Sequence, residues 1–326
     1  MDAEAIYLAG GCFWGTEAFM QQLPGVIDTE VGFANSRIPN PTYEQVCTGQ
    51  THAVETVCVK YDPTVISLRL LLEAYFTTID PFSLNRQGND CGTQYRSGIY
   101  WTNIADEPII ASAVLALERT LQHRVLVEVL PLENFYSAED YHQDYLANNP
   151  NGYCHVDLSG AQTFVDEHKT DFEILEHGYT KPDWETLKHA LDEDAFAITQ
   201  CALTERPFSH PYDELFDEGI YVDIVSGEPL FSSRDKYDAG CGWPSFSQPI
   251  APSAIDEAMD TSILGMPRVE VRSAAGQSHL GHVFDDGPEA RGGQRYCING
   301  SALRFVPLDD MERQGYGYLL DRFADR

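Results

Sequence analysis

Apolar and polar positions give the chain two textures. From Ala5 to about Leu146 the period keeps switching between strand and helix. Ala5 to Ala9 and Val26 to Val31 predict strands, Val54 to Tyr61 alternates as another, and Thr16 to Gln22 predicts a helix. Leu68, Leu71, Leu72, Tyr75 and Ile79 recur at helical spacing up to Asp80-Pro81, and Pro108 opens a helical run to about His123 from the first-turn position that proline favours. Val125 to Leu130 predicts a short strand. Ser137 predicts a helix cap, with Glu139 and Asp140 in the first turn, where carboxylates meet the positive end of the helix dipole. This half is mixed α and β. From about Gly219 the segments shorten and alternate between Gly, Pro and Asp breaks: Ile220 to Val225, Arg268 to Arg272, His282 to Phe284, Arg295 to Asn299 and Ala302 to Val306. That half predicts mostly β. No short-period repeat or low-complexity tract interrupts either.

A length of 326 residues agrees with two domains, each large enough to bury a core without disulfide staples. The formal charge is −30, spread as −13 over residues 1–160, −7 over 161–200 and −10 over 201–326. The two textures and this charge divide the chain into domains at 1–165 and 181–326 with an acidic linker at 166–180. So acidic a surface repels phosphate backbones and anionic lipid, which argues against nucleic-acid and membrane partners. The start, Met1-Asp2-Ala3-Glu4, is acidic and the apolar stretch after it breaks at Gly10-Gly11, so neither a signal peptide nor a membrane span is expected and the reading is cytoplasmic. In a reducing compartment the eight cysteines are packing residues, ligands or catalytic thiols rather than staples.

Gly10-Gly11-Cys12-Phe13-Trp14-Gly15 places a thiol at a helix start, where free N–H groups and the dipole favour the thiolate, with Phe13 and Trp14 as walls for a methyl group. The alternative is a buried cysteine in a glycine-rich turn. Strand alternation puts Glu55 on the face of Val57, Val59 and Tyr61, where an ionised carboxylate is costly and the group should hold its proton near neutrality as a general acid. The alternative there is a frayed strand end in water. The first half resembles peptide methionine sulfoxide reductase A, through Gly11-Cys12-Phe13-Trp14-Gly15, Asn40-Pro41-Thr42-Tyr43, Glu55, Asn85 to Asp90, Gly92 to Ser97 and Asn149 to Cys154. The resemblance implies an α/β domain built as a two-layer α+β sandwich. It makes Cys12 the nucleophile, Glu55 the acid, Tyr43, Asp90 and Tyr95 the groups that hold the sulfoxide oxygen, and Cys154 the resolving thiol. His52 stands one position from where the family has its histidine, and Cys91 takes the place of a basic or imidazole side chain beside Asp90.

In the second half, alternation puts Arg295, Cys297 and Asn299 on one face, where a cation and an amide would stabilise a thiolate; a polar outer hairpin face is the more ordinary reading of these residues by themselves. His279-Leu280-Gly281-His282 is an imidazole pair open to zinc binding, proton transfer or a loop surface. This half resembles methionine sulfoxide reductase B, through Thr204 to Phe208, Gly227 to Ser233, Asp238 to Phe246, His279 to Pro288 and Arg295 to Asn299. The resemblance implies an antiparallel β domain with Cys297 as nucleophile and Cys241 as resolving thiol. Trp243 and Phe284 would wall the substrate methyl, Arg295 would flank the substrate, and His279, His282 and Asn299 would bind and protonate the oxygen. Where many relatives carry two Cys-x-x-Cys pairs for zinc, this chain has Asp223, Ser226, Ser273 and Gly276, so a zinc-free domain is expected. Cys47, Cys58 and Cys201 read as buried packing residues.

Because methionine sulfoxide is chiral and its repair takes one enzyme per epimer, the two resemblances together imply reduction of both epimers, S by the first half and R by the second. Thioredoxin or dithiothreitol would be the reductant, oxidised proteins the substrates, and no metal, flavin or nicotinamide would be needed. The competing readings are a thiol peroxidase, a zinc hydrolase built on His279 and His282, and a non-catalytic redox adaptor.

Overall fold

The computed structural model describes residues 3–262 and 267–324. Met1 and Asp2 of the acidic start lie outside the described residues. The chain forms two compact units, Met1–Lys169 and Thr170–Arg326. Residues 166–180, read as a linker, are helical over Lys169–Glu176.

The first unit is built on a six-stranded sheet. Its strands are β1 (Glu4–Ala9), β2 (Val26–Ala34), β3 (Val54–Tyr61), β6 (Gly98–Trp101), β7 (Glu128–Pro131) and β8 (Phe135–Ser137), in the order β7-β6-β1-β3-β2-β8. Between β3 and β6 in the chain, the hairpin β4 (Arg86–Gln87) and β5 (Asp90–Cys91) stands apart from it. Only the β6·β7 pair runs parallel. β3 lies at the centre, buried along almost its whole length. α1 (Phe13–Met20), α3 (Leu68–Phe76) and α4 (Asp106–Leu121) are the longer helices before Tyr145, and α2 (Tyr43–Cys47) is a short one closed by a reciprocal capping box of Thr42 and Gln45. α5 (Tyr145–Asn148) and α6 (Gly160–Glu167) complete the unit.

Several local expectations shift. α1 begins at Phe13, not Thr16, so Cys12 is its N-cap residue with extended backbone and no side-chain cap bond. α3 ends at Phe76, short of Ile79, where Thr77 and Thr78 hydroxyls turn back onto the carbonyls of Ala74 and Tyr75. The strand expected from Val125 starts at Glu128, because the backbone N–H groups of Val125 and Leu126 are taken by Glu118 and by the Pro81 carbonyl. Ser137 caps no helix. It ends β8, whose backbone pairs with Gly32 to Ala34 on the open edge of β2, and the following residues make only a 3₁₀ turn, Asp140–His142. A sheet edge offers a whole row of hydrogen bonds, which outweighs one capping bond.

The second unit has few helices: α7 (Lys169–Glu176), α8 (Trp184–Ala190) and α9 (Glu193–Cys201), the last two capped by Asp183 and Asp192. The rest is antiparallel β. One sheet, in the order β10-β9-β17, holds β9 (Gly219–Asp223), β10 (Pro229–Ser232) and β17 (Leu303–Pro307). The other, in the order β11-β12-β16-β15-β14-β13, holds β11 (Lys236–Tyr237), β12 (Ser245–Phe246), β13 (Ile255–Asp260), β14 (Arg268–Ser273), β15 (His279–Phe284) and β16 (Arg295–Ile298). A common core of Ile220, Val222, Leu230, Phe246, Leu280 and Ile298 lies between them, with Phe231 stacked on Phe246 at 4.4 Å.

Among the three cysteines read as packing residues, only Cys58 is buried; Cys47 and Cys201 are exposed, because each closes a helix at its solvent end. Of the described residues, no helix is long and apolar enough to cross a membrane.

Candidate active sites

In the first unit, Gly11 at φ +82° turns the chain from β1 into α1 and brings Cys12 over the end of β3. Glu55, one residue into β3, is 1% exposed, and the Phe13 amide donates to its Oε2 at 3.3 Å. Its Oε1 has no hydrogen-bond partner. Burial, partly offset by that bond, pushes Glu55 up to about 8, so it holds a proton at neutral pH. The same burial, with the Glu55 charge second, raises the Cys12 thiol well above its usual range. Burial of Cys12, a residue 7% exposed, thus works against the thiolate that the dipole of a two-turn helix favours.

Around these two groups stand Tyr43, the first residue of α2, and Tyr95, at the end of the 3₁₀ turn Thr93–Tyr95; burial and the nearby Glu55 raise both phenols. Asp90, on β5, accepts the Tyr153 hydroxyl at 3.0 Å. Phe13 and Trp14 lie 6.3 Å apart, and Trp14 stacks on Tyr145 at 3.8 Å. Cys154 is drawn in by its neighbour: His155 Nε2 meets the Gly10 carbonyl at 2.9 Å, and a methyl group added at Gly15 would sit 3.1 Å from Cys154 Sγ. The chain therefore brings Cys12, Glu55, Tyr43, Tyr95, Asp90 and Cys154 into one neighbourhood. Cys91 is exposed on the β4–β5 hairpin, and His52 is exposed at φ +57°. Sequence reasoning missed His142. It is 1% exposed, its ring lies 4.6 Å from Tyr43 and 5.3 Å from Phe13, and burial lowers its affinity for a proton. A single histidine within the helix that the sequence predicts after Ser137 carries no signal of its own; burial against Tyr43 and Phe13 is what marks it.

In the second unit, Cys297 on β16 is flanked in register by Ser245 on β12 and His282 on β15. Cys241 Sγ lies 3.7 Å from Cys297 Sγ and 3.3 Å from Ser245 Oγ. The two sulfurs are hydrogen-bonded to each other, and either can be the donor; their coupling draws Cys241 down and pushes Cys297 up, while the Arg295 guanidinium favours the anion on either sulfur. The thiolate expected on Cys297 is thus one negative charge shared within a two-thiol pair. Arg295 is held by Asp286 through two bonds of 2.8 Å and lies over the Phe284 ring at 4.5 Å.

A cavity of about 100 Å³ opens at Cys297, lined by Trp243, His282, Phe284 and Asn299 together with Thr204 and Arg268. His282 Nε2 faces Asp260 at 2.8 Å, and Arg268 reaches the same carboxylate at 2.6 Å. Burial lowers His282, so it is neutral near pH 7, its Nε2 carrying the proton toward Asp260. His279 sits 5.6 Å from His282, ring to ring, with Nδ1 on Glu270 at 2.6 Å and a buried Nε2 that has no partner. Arg268 and Asp260 were not singled out from sequence. They come from neighbouring strands and meet only through the β13–β14 pairing.

The four positions where relatives carry zinc ligands do not fit a metal. Asp223 is fully buried and accepts Ser226 Oγ at 2.9 Å, Ser273 Oγ at 2.9 Å and Ser278 Oγ at 3.2 Å. A side chain at Gly276 would run into its Oδ2. Hydroxyls around one carboxylate are poor donors for zinc, and the hydrogen bonds already tie together the two turns that a metal would join.

Set against known proteins, residues 4–173 match the peptide methionine sulfoxide reductase family and residues 191–307 match the SelR domain. Solved structures to which the chain is similar include Mxr1 from Saccharomyces cerevisiae in reduced form, 38% identical over 47% of this chain and 90% of that one, with a TM-score of 0.46. Methionine sulfoxide reductase A of Corynebacterium diphtheriae is 42% identical over 47% of this chain and 78% of that one, with a TM-score of 0.43. Mxr1 in complex with Trx2 is 25% identical over 48% of this chain and 88% of that one, with a TM-score of 0.34.

Proposed function

Because the chain belongs to the peptide methionine sulfoxide reductase family over residues 4–173 and continues into a SelR domain over residues 191–307, we propose that it reduces both epimers of methionine sulfoxide at two independent thiol sites. The chain is an oxidoreductase, an A-type reductase fused to a B-type one. The observation that carries the two-epimer reading is the presence of a complete thiol site in each unit: Cys12 with Glu55 and Cys154 in one, Cys297 with Cys241 3.7 Å away in the other.

At the first site both Glu55 and Cys12 hold protons at rest. The sulfoxide oxygen takes the proton of Glu55, between Tyr43 and Tyr95, and the Glu55 carboxylate so formed takes the Cys12 proton in turn. The thiolate attacks the sulfoxide sulfur while Phe13 and Trp14 pack on the methyl group. Oxygen passes to Cys12 as sulfenic acid and methionine leaves. The Cys154 thiol then displaces that oxygen as water, closing a disulfide. At the second site Cys297 is the nucleophile: its thiol proton, relayed by the His279 and His282 pair, ends on the sulfoxide oxygen bound by Asn299, the methyl group lies against Trp243 and Phe284, and Cys241 is the resolving thiol. In each cycle one sulfoxide and two thiols become methionine, water and one disulfide. A dithiol, thioredoxin or dithiothreitol, restores the thiols by exchange. No metal or organic cofactor enters, and oxidised proteins are the substrates.

Chiral chromatography of racemic N-blocked methionine sulfoxide, incubated with the protein and excess dithiothreitol, tests this. Both epimers should disappear. Survival of one refutes the proposal for the unit assigned to it, and peroxide consumption in preference to sulfoxide would return the thiol peroxidase reading.

A further inference from the structure

The segment Thr204 to Phe208 carries a recognisable block of sequence, yet none of the chemistry above uses it. It has no regular secondary structure and is largely exposed. Glu205 is its fixed point. Both oxygens of its carboxylate are engaged by the turn that follows Asn299: the Gly300 amide donates to Oε1 at 2.6 Å, and the Ser301 amide and hydroxyl donate to Oε2 at 3.0 Å and 2.7 Å. The backbone of the same residue reaches two groups of the cavity wall. Its N–H donates to Asn299 Oδ1 at 3.1 Å, and its carbonyl accepts the Trp243 indole N–H at 3.2 Å. Three residues on, the Phe208 amide donates to the Gly242 carbonyl at 2.7 Å, beside Cys241. Gly242, at φ +85°, leaves room there that a side chain would close.

These bonds have a consequence for Asn299. An amide side chain offers an oxygen on one side and an NH₂ on the other, and only the NH₂ donates to a sulfoxide oxygen. The Glu205 N–H claims the oxygen, while Nδ2 gives one hydrogen to the Leu280 carbonyl at 2.9 Å, which leaves its second hydrogen for the cavity.

We propose that Glu205 is a positioning residue of the R-epimer site: its carboxylate anchors the Thr204 to Phe208 strap on the Gly300–Ala302 turn, so that its backbone orients the Asn299 amide and the Trp243 indole toward Cys297. The inference rests on the reading of the second unit as a methionine sulfoxide reductase site. Because the side chain is the anchor and the backbone the pointer, Glu205→Ala loosens the pointer without removing any atom that faces substrate.

The test is R- and S-epimer turnover of the full chain, with Glu205→Ala, Glu205→Gln and Ser301→Ala compared with wild type. In Glu205→Ala, kcat and kcat/KM for the R epimer should fall together by about tenfold or more, the signature of an interaction expressed in the transition state. S-epimer turnover should be unchanged. Glu205→Gln keeps an acceptor for the turn and should recover most of the rate, and Ser301→Ala should lie between. The Trp243 indole N–H resonance, assigned by its loss in Trp243→Phe, should move in Glu205→Ala and return in Glu205→Gln. Wild-type R turnover in Glu205→Ala, or a Trp243 resonance that does not move, overturns the inference. A wild-type chain that reduces no R epimer overturns the reading beneath it instead. If Glu205→Ala fails to fold, Ser301→Ala and Glu205→Gln decide, since both keep the strap's backbone and differ only in the strength of its anchor.

Discussion

Glu55 shows how one buried atom pair sets the conditions for chemistry. Its carboxyl is raised from 4.5 to about 8 by burial, so the folded chain holds a proton that the unfolded chain releases between those values. Stability of the first unit therefore falls as pH rises toward and through 8, and acid catalysis falls with it. We expect S-epimer kcat/KM to decline above about pH 8, with no compensating rise from Cys12, whose thiol is raised further still. Glu55→Gln should cost about 10²–10⁴ in S-epimer rate, the usual worth of a general acid, and should flatten the fall in stability that melting curves show between about pH 4.5 and 8. An unchanged rate would remove Glu55 from the mechanism. In the other unit, coupling to Cys297 draws Cys241 below an ordinary thiol, so its alkylation by iodoacetamide, followed by mass spectrometry, should persist at pH values where an ordinary thiol has stopped reacting. Alkylation that follows an ordinary thiol, fading already below pH 8, would contradict the shared proton with Cys297. Cys241→Ser should leave sulfenic acid on Cys297 and stop thioredoxin-driven cycling.

Elements place these atoms by two routes. In the first unit the route is local: a β1–α1 turn of glycines carries Cys12, and the adjacent central strand carries Glu55, so strand period and helix start suffice to mark both. In the second unit the route is strand pairing, which sets His282 and Ser245 beside Cys297 from distant parts of the chain. Pairing also explains the failed expectation at Ser137, a residue that looks like a cap but is taken by the edge of β2. The Asp223 network is the element-scale counterpart of a metal knot. Asp223→Ala would leave the Ser226, Ser273 and Ser278 hydroxyls without their buried acceptor and should cost about 3 kcal/mol or more in chemical denaturation of the second unit, with Asp223→Asn costing less. A change below about 0.5 kcal/mol, the level of an ordinary surface substitution, would mean that the turns are held by something else.

At the scale of the whole molecule, the two units are expected to act independently. Cys12→Ser should abolish S-epimer turnover and leave R-epimer turnover intact, with Cys297→Ser doing the reverse; loss of both in either variant would contradict two separate sites. The charge of −30, spread over both units, gives each a self-repulsion that salt screens, so melting temperature should rise with ionic strength. The sequence by itself determined the α/β and antiparallel β characters, the two thiols that resemble known nucleophiles and the poor zinc chemistry of Asp223, Ser226, Ser273 and Gly276. Those follow from residue type, period and local order along the chain. Only the tertiary structure decided that burial works against a Cys12 thiolate, that Cys241 and Cys297 share one charge, that Arg268 and Asp260 stand with His282, and that Glu205 holds Asn299. Burial and strand register fix those properties, and both are set by residues far apart in the chain, which no local pattern of apolar and polar positions encodes.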